Sequence, residues 1–160
     1  MPLSTHPMNS WDRRFFELCA LLGSWSEDRS RGVGCVIASP ANDIRATGFN
    51  GLPRGVNGNV SERHRREDRE KYHWFEHAER NAIYNAARAG TSIAGCRLYV
   101  SLFPCADCAR GIIQSGITSV HTYSPPERDL NYLRSFEVAI EMLSEAGVQL
   151  QIYKALGPEK

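Results

Sequence analysis

The sequence predicts an α/β layer fold, with crossover helices packed on a mixed sheet of about five strands. Three observations predict it. Two apolar runs, VGCVIAS (33–39) and IRATGFN (44–50), flank the turn residues PAND and read as a hairpin. After the hairpin, helical and strand patterns alternate to the end of the chain: helix, strand, helix, strand, helix, strand. The final strand–helix–strand run, 119–153, should be a right-handed crossover, which makes its two strands parallel.

The first element is a helix. SWDRRFFELCALLGSW (10–25) carries Trp11, Phe15, Leu18, Leu22 and Trp25 on one helical face, with Ser10 as the N-cap. The hairpin strands follow. Residues 51–72, GLPRGVNGNVSERHRREDREKY, are glycine-rich and then densely charged with both signs. The charged half reads as a solvated face or short helix rather than a nucleic-acid patch. So long a segment in a compact domain is usually functional. EHAERNAIYNAARAG (76–90) is a helix with Ala82, Ile83, Ala86 and Ala87 apolar and Gly90 as its stop. CRLYVSLF (96–103) is a strand, CADCARGIIQSG (105–116) a helix, and SVHTYS (119–124) a strand. DLNYLRSFEVAIEMLSEAG (129–147) is a helix that turns Leu130, Leu133, Phe136, Ile140 and Leu143 inward, and VQLQIY (148–153) is the last strand. With no repeat, low-complexity tract or linker, a single domain over residues 1–160 is expected.

Composition narrows the function. Apolar content of 42% and charged content of 23% fit a soluble globular protein, and a net charge of +1 lacks the basic bias of a general nucleic-acid binder. The opening MPLSTHPMNS has no apolar run long enough for a signal peptide or membrane span. Five cysteines at irregular spacing argue against a disulfide framework, so a reducing, cytoplasmic setting is expected.

Two of those cysteines carry the chemistry. In FPCADCARG (103–111), Cys105 and Cys108 fall in the first turn of a helix that directly follows a strand. There the helix dipole favours thiolate, the metal-binding form. A redox pair uses the same spacing, so spacing alone does not decide. The deciding feature is HAE at 77–79, which opens another helix of the same layers. One imidazole from His77 and two thiolates make three ligands for Zn²⁺, one short of a closed structural tetrahedron. A metal with an open fourth position binds water and lowers its pKa to about 7. Glu79 stands two residues past His77, able to face that water without being a ligand. His-x-Glu with Pro-Cys-x-x-Cys is a signature of zinc base deaminases. Cys19, Cys35 and Cys96 fall at core-like positions and read as small buried hydrophobes. His6, His64, His73 and His121 have no partner motif.

On VGCVIA, TGFNGLPRG, HAERNAI and GCRLYVSLFPCADCARGIIQSGI, the chain resembles the cytidine deaminase superfamily over residues 10–153, and most of all its deoxycytidylate (dCMP) deaminases. The resemblance implies a three-layer α/β/α sandwich. It implies His77, Cys105 and Cys108 as zinc ligands and Glu79 as the proton shuttle. It matches Asn50 to a pocket asparagine that touches the substrate's sugar or base, and it places the backbone at Ala78 and the Phe103 carbonyl along the base edge. It implies a homo-oligomer, often a hexamer in this family. Arg80 stands where a neutral residue is usual, and Phe49 where Tyr is common. The segment after GLPRG lacks the acidic residues and cysteine that some relatives carry there, so no second zinc is carried over. Arg31, Arg54 and Arg128 are phosphate-binding candidates on charge alone.

The expected reaction is hydrolytic deamination of dCMP to dUMP with release of ammonia. The partner expected is a small nucleotide, with neither nucleic acid nor membrane. Other deaminase substrates stay open: modified dCMP, CMP, guanine or a tRNA adenosine, the last disfavoured by the near-neutral charge. A non-catalytic zinc-stabilised module would need a fourth protein ligand and no Glu79.

Overall fold

The computed structural model of the protein describes residues 5–126 and 132–154. Arg128, Leu130 and the expected helix start at 129 lie outside the described residues. Helix α1 (Ser10–Gly23) leads into strands β1 (Gly34–Ala38) and β2 (Ile44–Phe49). A 3-10 turn (Ser61–His64) and the one-turn helix α2 (Lys71–Trp74) follow, then α3 (Ala78–Ala89), β3 (Arg97–Val100), α4 (Ala106–Gln114), β4 (Ser119–Tyr123), α5 (Leu133–Glu145) and β5 (Gln149–Tyr153). The five strands form one mixed sheet in the order β2-β1-β3-β4-β5. β1 is antiparallel to both β2 and β3, whereas β3, β4 and β5 run parallel, as the crossover pattern requires.

Strand alternation divides the core into two. Cys35, Ile37, Leu98 and Val100 face α3, α4 and α5, and pack with Ala82, Ile112, Phe136 and Leu143. Val36, Ala38 and Tyr99 face the other way, onto Phe15, Phe16, Cys19 and Leu22 of α1. β1 is buried along its whole length because both its faces are covered, giving three layers, α/β/α. Among the described residues, no helix is long and apolar enough to cross a membrane.

Several expected details shift. The N-cap of α1 is Asn9, not Ser10: its side chain accepts from the N–H groups of Trp11 (2.8 Å) and Asp12 (2.9 Å), and Asp12 reaches back to the Asn9 N–H. The buried stripe of α1 is Asp12, Phe15, Phe16, Cys19, Leu22 and Gly23, and it leaves Trp11 41% and Trp25 58% exposed. A count of large apolar residues misses this stripe because its members include a carboxylate, a thiol and a glycine. Asp12 is inward because it accepts the Tyr99 hydroxyl at 2.8 Å. Ala87 is exposed on α3, and Leu133 at the start of α5 is 37% exposed. Cys19, Cys35 and Cys96 are buried and free, as small core residues.

Candidate metal and active site

The topology brings two helix starts together. Because β1 is antiparallel to both of its neighbours, β2 and β3 point the same way, and their C-terminal ends lie on one edge of the sheet. The chain leaves β3 there to begin α4, and α3 begins at the end of β2. His77 is the N-cap of α3 and Cys105 the N-cap of α4, both with extended backbone and neither side chain used for capping. Cys108 lies one turn in.

The end of β2 fixes α3 closely. Asn81 and Asn85 donate to the carbonyls of Phe49 (2.9 Å) and Thr47 (2.7 Å). Gly51 and Glu76 exchange both backbone bonds, at 3.1 and 2.8 Å, just before His77. Gly48 lets the first turn of α3 rest directly on β2: a Cβ there would lie 2.4 Å from both the Ala78 carbonyl oxygen and the Ala82 nitrogen. Glu76 accepts the His77 N–H at 3.0 Å and the Arg80 Nε at 2.5 Å, and Arg80 also faces Asp107 of α4 at 3.7 Å. Arg80 therefore ties the two helix starts together. The Ser135 hydroxyl of α5 accepts the Ala106 N–H at 2.9 Å and holds the start of α4.

The result is a cluster. His77 Nδ1 lies 3.4 Å from the Sγ of Cys105 and 3.4 Å from the Sγ of Cys108, and the three ligating atoms are all within 4.8 Å of one another. A tetrahedral ion with Zn–S near 2.3 Å and Zn–N near 2.1 Å would set the N···S separations at about 3.6 Å. The three side chains thus have the donor types, number and spacing that zinc takes.

Electrostatics at the cluster follow from shared protons and burial. The hydrogen bond from Cys108, helped by His77, lowers the Cys105 pKa to about 4. Burial, with the same thiol–thiolate bond, pushes Cys108 well above the usual thiol range. A dication would favour both sulfurs as thiolates. Burial opposes charge on His77, but its bond to Cys105 raises its pKa. Glu79 is 4% exposed, and burial raises its carboxyl pKa despite the nearby imidazole.

A cavity joins the cluster to the other expected residues. His77, Ala78, Glu79, Cys105, Phe103 and Asn50 all line it. Asn50 also braces the wall: its Oδ1 accepts the Val33 N–H at 2.7 Å, and its Nδ2 donates to Asp28 (3.0 Å) and to the Arg31 carbonyl (2.9 Å). Both amide hydrogens are thereby committed, leaving an acceptor lone pair. Of the arginine candidates, Arg31 lines the cavity, whereas Arg54 reaches Asn85 outside it. The sequence reading missed Asp28, Arg66, Lys71 and Tyr132, which also line the cavity. Lys71 corrects the solvated reading of the charged segment: it is 9% exposed and paired with Asp28 at 2.5 Å. The available signal was its place next to aromatic Tyr72, Trp74 and Phe75 just before HAE.

A fold with a metal-type cluster and a buried carboxylate in one cavity fits the metal-dependent deaminases. The chain belongs to the cytidine and deoxycytidylate deaminase family: the family model described as cytidine and deoxycytidylate deaminase zinc-binding region matches residues 9–124. An uncharacterized deaminase of Aliivibrio fischeri is 40% identical over 148 residues, covering 89% of this chain and 93% of that protein. The probable deoxycytidylate deaminase of Drosophila melanogaster is 36% identical, over 94% of this chain and 74% of that protein. The human deoxycytidylate deaminase is 38% identical over 113 residues, 69% of this chain and 62% of that protein. Among solved structures, the dCMP deaminase of cyanophage S-TIM5 in complex with dCMP and dUMP superposes with a TM-score of 0.76 at 26% identity, covering 92% of this chain and 99% of that one.

Proposed function

We propose that the chain catalyses the zinc-dependent hydrolytic deamination of dCMP to dUMP, with release of ammonia. The observation that carries this reading is the His77–Cys105–Cys108 cluster with Glu79 buried in the same cavity. The three ligands would hold zinc, which supplies a nucleophilic water at neutral pH. Glu79, buried beside the cluster, would accept a proton from a water held there and pass it to ring N3, which makes C4 more electrophilic. It would then take the second proton of that water from the oxygen now bonded to C4 and give it to the exocyclic amine, so that the C4–N bond breaks, ammonia leaves and C4 keeps the oxygen as a carbonyl. A carboxylate suits both tasks, because its base form accepts a proton and its acid form returns it. The Ala78 N–H and Phe103 carbonyl hold the base edge, and the free acceptor of Asn50 faces the sugar or base. Phe75, Leu102 and Phe136 supply apolar wall that keeps bulk water from the ring.

Relatives named as deoxycytidylate deaminases support the cytosine nucleotide over guanine or a tRNA adenosine. The reading includes a homo-oligomer in a reducing, cytoplasmic compartment. Exposed Trp11, Leu21 and Trp25 on and beside α1 support the first part, and five free cysteines suit the second. The test is an ammonia-release screen of the zinc-loaded protein across dCMP, CMP, deoxycytidine, dCTP, 5-substituted dCMP, guanine and adenosine. The highest kcat/KM is expected with dCMP. A clear preference for guanine or an RNA substrate would overturn the reading.

A further inference from the structure

We propose that Lys71 is the specificity-determining residue that reads the phosphate of a nucleoside monophosphate, with Asp28 and Ser30 holding its ammonium in place. The proposal rests on the dCMP reading above.

Lysine is scarce here: the chain has three, Lys71, Lys154 and Lys160. Among the described residues, Lys71 is the lysine that lines the cavity holding the metal-type cluster. Its Nζ donates to Asp28 (2.5 Å) and to the Ser30 hydroxyl (2.5 Å). An ammonium has three hydrogens, so one remains for a ligand. The rings of Phe75 and Tyr72 lie 5.8 and 5.9 Å from the Nζ, and this apolar surround strengthens any anion contact made there.

Asp28 is held rather than free. Burial works against its charge, but hydrogen bonds from Lys71 and Ser30 outweigh burial and lower its pKa. It also accepts from Asn50, and the Ser26 hydroxyl fixes the same loop by donating to the Asn50 carbonyl at 2.7 Å. The ammonium is therefore preorganised by the residues that brace the end of β2. Among the described residues, Arg31 and Arg66 line the cavity alongside Lys71 and Asp28. A phosphate monoester brings a charge of about −1.5 to −2 and acceptor oxygens to such a cluster.

The experiment compares kcat/KM for dCMP and deoxycytidine in the wild-type, Lys71→Gln and Lys71→Arg proteins. Loss of one charge-assisted phosphate contact should lower the dCMP-to-deoxycytidine ratio roughly tenfold to a hundredfold in Lys71→Gln. Lys71→Arg should recover most of it. A structural role would lower both substrates together and leave the ratio unchanged, and that outcome would overturn the proposal while the dCMP reading stands. A wild-type ratio near one would overturn both. In case the Gln variant fails to fold, the wild-type, zinc-loaded protein with ¹³Cε-labelled lysine supplies the second test. Adding dUMP or inorganic phosphate should shift the Lys71 resonance, whereas deoxyuridine should not. No shift with either anion at saturation would refute the role.

Discussion

Replacing Gly48 by Ala tests whether contact between β2 and α3 sets the geometry of the active site. The new Cβ would lie 2.4 Å from two backbone atoms of α3, the Ala78 oxygen and the Ala82 nitrogen. An ordinary contact needs about 3.4 Å, so the strand and helix must separate by roughly 1 Å. Neither obstacle is a side chain that can swing away. The start of α3 carries His77 and Glu79, while Cys105 and Cys108 ride on α4 and would not follow. Metal–ligand distances tolerate only about 0.2 Å, and a misplacement of about 1 Å in a reacting group costs on the order of a hundredfold in rate. Gly48→Ala should therefore weaken zinc binding at least tenfold, lower kcat/KM for dCMP about a hundredfold, and cost about 1–3 kcal/mol of stability by overpacking. Gly111→Ala is the control. It lies within α4, and its Cβ would meet only the side chains of Ile83 and Arg80, at 3.5 and 3.7 Å. It should keep activity and gain a few tenths of a kcal/mol or more from helix propensity. Zinc competition against a chromogenic chelator, melting temperature and dCMP turnover, measured on one preparation of each, decide the matter. Wild-type zinc affinity and turnover in Gly48→Ala would refute the argument that this contact positions the site.

Two further outcomes are expected. Glu79→Gln should keep zinc and melting temperature, because a neutral amide suits a buried position better than a charge, while turnover falls by about 10²–10⁴; near-normal turnover with normal zinc would remove Glu79 from the chemistry. His121, on the opposite face of the sheet, is held neutral: burial lowers its pKa to about 4, against the pull of Asp12. Its ring bonds the Tyr153 hydroxyl at 2.9 Å and the Ser119 hydroxyl at 3.2 Å. The folded pKa lies below the unfolded value of about 6.5, so this contribution is fully present above pH 6.5 and is lost as the pH falls toward 4, on the order of 3 kcal/mol in all. Urea unfolding from pH 8 to 4 should show a steeper acid loss in the wild type than in His121→Gln, and equal slopes would dismiss the histidine as the cause.

How much of this was legible in the sequence depended on whether a residue acts through its own chemistry or through where the fold sends it. His77, Cys105 and Cys108 could be read because their element types and spacing restrict the chemistry, and their helix starts follow directly from local pattern. The alternation of strands and helices likewise carried the sheet and its layers. The face of α1 was misread at its edges because inward positions went to Asp12 and Gly23 rather than Trp11 and Trp25, for reasons that lie on other elements: the Tyr99 hydroxyl that Asp12 accepts, and the close approach of β1 at Gly34, where a Cβ would lie 2.8 Å from the Gly23 nitrogen. Lys71 was misread for the same reason. The residues before it are charged and exposed, and its ion partner Asp28 lies on a loop more than forty positions earlier, so only the aromatic residues after it hinted at burial. Long-range partners of this kind leave no period and no motif.

The same distinction explains the segment between β2 and α3. Glu62, Arg65, Glu67, Asp68 and Arg69 are exposed, as a mixed charge run should be, yet Lys71 and Phe75 at its end are buried in the cavity wall. A solvated run that ends in a buried ion pair is anchored at the cavity and free to vary before it. If Lys71 reads the phosphate as proposed, exchanging it would change substrate selectivity while the cluster on the helix starts beneath it stays fixed. The metal-type cluster is built on the helix starts at the sheet edge, and the choice of nucleotide proposed for Lys71 would lie in the loops that cross that edge.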